Sequence, residues 1–148
     1  MTADRQELLR REEAAWSALL TAAERVPAEL RTVAGVVPDW SVSDLVFHSG
    51  KYAELTGQRL EQMASGTFVD EEQPQEQWQA MNDGWAEESK SLTWEQSVAA
   101  AEACRAKARS ALEALSEVDD TAASWFSDET FLHYAEHTDE IERFADST

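Results

Sequence analysis

The sequence predicts an all-α bundle that forms one domain over residues 1–148. Apolar residues recur at helical spacing, two segments begin with capping-box patterns, and the chain has only five glycines and three prolines. A chain of this length can bury a sizeable core. Its 43% content of hydrophobic residues, which includes six tryptophans, argues against disorder.

Capping signals and apolar stripes indicate five helices. Ser41 and Asp44 form one capping box, and Thr93 and Gln96 form a second. Gly66 is expected just beyond the end of the second helix, because glycine adopts the left-handed conformation that commonly ends helices. The helices are predicted over residues 3–25, 42–64, 74–90, 94–116 and 128–145.

The connections between these helices predict how they are arranged. Residues 117–126 are expected to form a loop, and residues 74–90 to be part of a crossover, which leaves four long helices in the bundle. Apolar residues of the fourth helix are spaced alternately four and three apart, which is typical of packing at a shallow angle. The acidic segment 70–72 is interpreted as a helix-flanking or loop position.

The charge of the chain limits its partners. Thirty acidic and twelve basic residues give a formal charge of -18, which repels phosphate backbones and anionic lipids. Neither nucleic acid nor a membrane is therefore expected as a partner. With a polar start and no long apolar run, the chain is expected in the cytoplasm. Its single cysteine, Cys104, excludes an internal disulfide and is expected to be a buried, inert thiol.

The three histidines of the chain form a candidate metal site. His133 and His137 are four residues apart on a predicted helix, so their Cβ atoms lie about 5–6 Å apart on one face. His48 lies on the inward face of the second helix. Three inward imidazoles can bind one divalent ion and leave a position open for water or substrate, as in catalytic sites. The alternative is three hydrogen-bonded core histidines without a metal.

The residues around these histidines resemble a known family. The segment 37–48, with Trp40, a capping serine, an aspartate and an apolar run before His48, is similar to the signature of the DinB-like superfamily. His133 and His137 match the second and third metal ligands of that superfamily. The resemblance covers residues 8–144.

The resemblance implies a four-helix bundle with up-down-down-up topology, a divalent zinc, nickel or iron ion, and a homodimer. The first half is similar to the mycothiol-dependent maleylpyruvate isomerase group, which has glutamate where His133 stands. The region around Asn82 and the end of the chain are similar to the branch that includes the colibactin self-protection protein, a cyclopropane hydrolase. Characterised members are mainly thiol-dependent transferases, isomerases and detoxifying enzymes.

Other residues are candidates for substrate binding or catalysis. Tyr52, one turn after His48, can direct its hydroxyl toward the pocket or pack in the core. Glu136 is a candidate base if its helix turns it toward the metal. Trp40 can pack as a plug or form a wall of the pocket, and Asn82 can be structural or can orient a ligand.

Arg105 lies on the inward seam of the fourth helix, where a guanidinium needs a partner. One interpretation is a side chain that extends its charged end to water, or an ion pair with an acid such as Glu54 or Glu136. The other is a substrate-binding role, in which Arg105 anchors an anionic substrate or the carboxylate of a thiol cofactor.

Three functions are compatible with the sequence. The leading hypothesis is a metal-dependent transferase, isomerase or hydrolase, in which water or a low-molecular-weight thiol such as mycothiol attacks a small electrophile in detoxification or self-resistance. The alternative is a non-catalytic protein of the same fold that binds a small molecule or metal. The third is a structural homodimer whose histidines are core residues.

Overall fold

A computed structural model describes residues 3–148, which form an all-helical structure without a strand. A short 3₁₀ turn, Ala28–Leu30, follows the first of six α-helices. The helices are α1 (Arg5–Arg25), α2 (Val42–Ser65), α3 (Gln75–Ser89), α4 (Trp94–Ala114), α5 (Asp120–Glu129) and α6 (Phe131–Asp146). Within this part of the chain, no helix is both long enough and apolar enough to cross a membrane.

The predicted start and end of α2 are confirmed. The Ser41 hydroxyl accepts the backbone N–H of Asp44 at 3.0 Å, and the Asp44 carboxylate accepts the backbone N–H of Ser41 at 2.9 Å. Gly66 ends the helix with φ at 77°. The second predicted capping box, at the start of α4, is also present. These local signals place both helices to within one or two residues.

The prediction of a loop over residues 117–126 is wrong, because α5 occupies most of it. The side chain of Asp119 accepts the backbone N–H of Ala122 and caps this helix. Ala122 and Phe126, four residues apart, are both buried. The start of the last helix, predicted at residue 128, is also wrong, because Asp128 lies inside α5, which ends at Glu129 and is followed by Thr130 with φ at -115° and ψ at -97°. The chain then restarts as α6.

The relative directions of the long helices follow from contacts near the start and near the end of each helix. Near the start of α1, Arg5 donates to the backbone oxygen of Leu115 at the end of α4. Later in α1, Trp16 Nε1 donates to Glu102 at 2.7 Å, nearer the start of α4. The two helices are therefore antiparallel.

The same comparison shows that α1 and α6 are parallel. Tyr134, near the start of α6, contacts Trp16 with ring centres 5.2 Å apart, whereas Asp146 at its end pairs with Arg25 at the end of α1. Between α2 and α6, the ring of His48 contacts that of His137, and the ring of the later Tyr52 contacts that of the earlier His133, so these two helices run in opposite directions. Thus α1 and α6 point one way and α2 and α4 the other, which is compatible with the predicted four-helix bundle.

The helices α2 and α4 pack at backbone distance through small residues. A Cβ atom added to Gly50 would lie 2.5 Å from the Cα of Ala101, and one added to Gly57 would lie 3.3 Å from the Cα of Ala108. The two glycines are seven residues apart on α2, and the two alanines are seven residues apart on α4. The same close contact therefore repeats after two turns of each helix.

Gly50→Ala is expected to destabilise the protein by about 1–3 kcal/mol, because the added methyl group meets backbone and must separate the helices. Gly84→Ala is the matched control. A Cβ at Gly84, on α3, meets nothing within 4 Å, so that variant is expected to be neutral or more stable by up to about 1 kcal/mol. Urea unfolding measures both. Equal stability of the two variants would contradict the close packing.

A buried cluster of charges joins α1, α4 and α6. Glu12 is fully buried, and its carboxylate accepts two bonds from the guanidinium of Arg105, at 2.8 and 2.6 Å. Arg109 donates to the same carboxylate at 2.9 Å, and the hydroxyl of Tyr134 does so at 3.0 Å. Burial, followed by the negative charge of Glu12, raises the pKa of Tyr134 well above its usual value, so the phenol remains a donor.

Candidate metal centre

The three histidines converge on one point between α2 and α6. Nε2 of His133 lies 3.1 Å from Nε2 of His48 and 2.9 Å from Nε2 of His137. One ring nitrogen from each of the three lies within 4.8 Å of the others, so the cluster can hold a metal ion. The predicted juxtaposition of His48 with the pair on the last helix is therefore confirmed.

Two of these imidazoles are held in the neutral form that metal binding requires. Burial, and then the proximity of His133 and His137, lower the pKa of His48 to about 2. Burial, and then the proximity of His137, lower the pKa of His133 to about 3. Both rings therefore carry a nitrogen lone pair at neutral pH.

The hydrogen-bond partners of the rings indicate which nitrogens are free to bind an ion. Nδ1 of His137 donates to the Glu140 carboxylate at 2.5 Å, so the neutral ring has its lone pair on Nε2. A single proton on Nε2 of His133 cannot form good hydrogen bonds to both neighbouring rings. A cation, in contrast, accepts lone pairs from all three Nε2 atoms. The donor set thus fits a divalent metal ion.

The Nδ1 atoms of the three histidines differ in their hydrogen-bond partners. Among the described residues, Nδ1 of His48 and Nδ1 of His133 are buried and have no hydrogen-bond partner. In the described part of the chain, His137 is the one member of the three whose Nδ1 is hydrogen-bonded to a carboxylate, that of Glu140, as is common for metal-bound histidines. Glu140 was not predicted as a site residue, although its position three residues after His137 places it on the same helical face.

Aromatic rings surround His48. The ring centre of Trp40 lies 4.9 Å from that of His48, and the ring centre of Tyr52 lies 4.8 Å from those of both His48 and His133. The ring centre of Trp85, on α3, lies 6.1 Å from that of His48. Trp40 therefore packs directly on a candidate ligand, as a plug would.

Tyr52 connects the histidines with α3. Its hydroxyl donates to the side-chain oxygen of Asn82 at 3.4 Å, and its ring contacts those of His48 and His133. Burial, and then the negative charge of Glu129, raise the pKa of Tyr52 to about 12. The hydroxyl therefore stays protonated and keeps a proton to donate.

A cavity of about 630 Å³ reaches His133 from the surface. Of the residues predicted around the site, Tyr52 and Glu136 line it, whereas Trp40, Asn82 and Arg105 do not. Most of the wall comes from segments that were not predicted to take part. The lining residues are Tyr52, Arg59, Asp70, Glu71, Glu72, Gln73, Trp78, Asp120, Thr121, Ser124, Trp125, Asp128, Glu129, His133 and Glu136.

Arg105 lies with the buried charges rather than with the cavity. Its guanidinium pairs with Glu12, and also with Glu13 at 2.6 Å and Glu102 at 3.2 Å. The partners expected from the sequence are different: Glu54 pairs with two lysines of α2 and α4, and Glu136 lines the cavity. The sequence shows that a buried arginine needs an acid, but it does not show which acid the fold brings to it.

Comparisons with known proteins give no match among family models, curated proteins or solved structures. The likeness to the DinB-like superfamily therefore rests on the motif around Trp40 and His48 and on the pair His133 and His137. Membership of that superfamily stays a prediction.

Proposed function

We propose that this protein is a divalent-metal-dependent enzyme of the DinB-like type, which acts on a small electrophile. The observation that carries this proposal is the meeting of three histidine nitrogens, one of them from His133, which also lines a cavity large enough for a small molecule. A structural metal site would be closed by a fourth protein ligand, whereas three ligands leave a position open.

The proposed roles follow from where the residues lie. His48, His133 and His137 hold the ion, which when bound polarises a substrate carbonyl or lowers the pKa of water or a thiol. Tyr52 borders both the histidines and the cavity and supplies a protonated hydroxyl. Glu136 lines the cavity and supplies a carboxylate that can accept a proton from the nucleophile.

The nucleophile is proposed to come from outside the chain, as water or as a low-molecular-weight thiol such as mycothiol. Cys104, the single cysteine, is buried and lies 3.7 Å from the carboxylate of Glu54. Burial, and then the charge of Glu54, raise the pKa of this thiol to about 11. Cys104 is therefore protonated at neutral pH and is a poor nucleophile.

Elemental analysis of protein purified without a histidine tag tests the metal. We expect about one zinc, nickel or iron ion per chain, as one set of three ligands requires. The loaded protein and a chelator-treated control are then assayed on an epoxide, an enone and a cyclopropane, each with water alone and with mycothiol. Metal-dependent turnover supports the enzyme. Protein without metal contradicts the proposal, and metal without turnover favours the non-catalytic binding protein.

A homodimer is part of the same proposal. Of the six tryptophans, only Trp16 is fully buried, whereas Trp78 is 42% exposed, so aromatic surface is available for an interface. Light scattering at micromolar concentration is expected to give twice the chain mass of 16.6 kDa. A mass near that of one chain would contradict the dimer.

A further inference from the structure

The cavity beside the histidines carries a strong excess of negative charge. Seven carboxylates line it: those of the segment 70–72, three from α5 and Glu136 from α6. Arg59 is the one lysine or arginine among its lining residues. Seven acids and one arginine therefore give the wall a formal charge of -6 when His133 is neutral.

That arginine is already neutralised by the protein. Nε of Arg59 lies 3.0 Å from the carboxylate of Glu129, and both side chains are largely buried. Among the described residues, no lysine, arginine or histidine lies within 4.0 Å of the other six carboxylates of the wall. A molecule that enters the cavity thus meets negative charges that the protein leaves unpaired.

Aromatic faces accompany these charges. The guanidinium carbon of Arg59 lies 4.2 Å from the ring centre of Trp125, so this wall already holds one cation between an indole and a carboxylate. Trp78 and Tyr52, with ring centres 5.5 Å apart, also line the cavity. Carboxylates together with aromatic faces are the chemistry by which proteins bind amines and quaternary ammonium groups.

We infer that the substrate of this site is a small molecule with a positively charged amine or quaternary ammonium group. The inference rests on the proposed function for the reaction itself, since it places the charged group among the outer carboxylates and the reacting part toward His133. Anionic substrates are repelled by the wall. The arginine predicted as their anchor, Arg105, is bound by Glu12 instead.

Binding of three probes of similar size tests this inference: benzyltrimethylammonium, benzyl alcohol and benzoate. Calorimetry is expected to show the cation binding at least about tenfold more tightly than the alcohol, with no detectable binding of benzoate. The preference for the cation is expected to fall when sodium chloride is raised from about 0.02 to about 0.3 M, because salt screens exposed charges. Benzoate binding as tightly as the cation would overturn the inference.

Two double variants test whether the cation binds at the carboxylates of the cavity. Glu71→Gln combined with Asp128→Asn removes two charges from the wall, and is expected to weaken cation binding at least about threefold. Glu24→Gln combined with Glu113→Gln removes two exposed charges elsewhere, and is expected to leave binding unchanged. Equal affinities in the two double variants would contradict a role for the cavity.

Measurement on metal-loaded and chelator-treated protein separates this inference from the proposed function. If the protein binds no metal but still prefers the cation, the proposed metal-dependent function is contradicted and the inferred charge selectivity of the cavity is supported. Metal-dependent turnover together with a preference for benzoate would support the enzyme and overturn the inference.

Discussion

The variant His137→Ala is expected to lose at least about 100-fold in metal affinity, because it removes one of three ligands and leaves the Glu140 carboxylate without its imidazole. The helices are expected to stay folded, since the core is formed by apolar side chains from several helices and does not depend on an ion. Titration with a competing chelator measures affinity, and circular dichroism measures helix content.

Two further variants of α6 test whether the loss of metal affinity is specific to the ligand and its hydrogen-bond partner. Glu140→Gln keeps all three ligands but removes the carboxylate behind His137, so an intermediate loss of about 10–100-fold is expected. Leu132→Ala alters a side chain that is 52% exposed, and is expected to bind metal like the unaltered protein. Unchanged metal affinity in His137→Ala would show that the three histidines are not the ligands.

Glu12→Ala is expected to destabilise the protein by about 3–5 kcal/mol. The substitution leaves the buried guanidinium of Arg105 without its main partner and also deprives Arg109 and Tyr134 of an acceptor. A buried charge that loses its partner keeps the full cost of its desolvation. The free energy of unfolding in urea measures the loss.

Glu13→Ala provides the control for this cluster. Glu13 also pairs with Arg105 at 2.6 Å, but its side chain is 56% exposed. An exposed partner contributes little because water solvates both charges, so a loss of less than about 1 kcal/mol is expected. If the two variants were destabilised equally, the difference in burial between Glu12 and Glu13 would not govern their contributions.

The sequence was most informative where the signal is local. The boundaries of α2 follow from Ser41, Asp44 and Gly66, which act within one turn of the helix ends. The pair His133 and His137 follows from helical spacing, and His48 from the inward stripe of α2. These positions need no knowledge of which helices are neighbours.

The features that the sequence did not predict depend on contacts between residues that are far apart in the chain. Arg105 and Glu12 are 93 residues apart, so their pairing is fixed only by the register of α1 against α4. The cavity was missed because much of its wall belongs to α5, a ten-residue helix with a short apolar stripe, and to the segment 70–73. Exposed acids carry no sequence signal that distinguishes a cavity wall from an ordinary solvated surface.

The separation of His48 and His133 by 85 residues has a thermodynamic consequence. Only the folded chain brings the rings of α2 and α6 together, so an ion held between them adds its binding free energy to the stability of the fold. At a free concentration about 100 times its dissociation constant, that contribution is about 2.7 kcal/mol. If the site binds a metal as proposed, we therefore expect the melting temperature to rise with the free metal concentration.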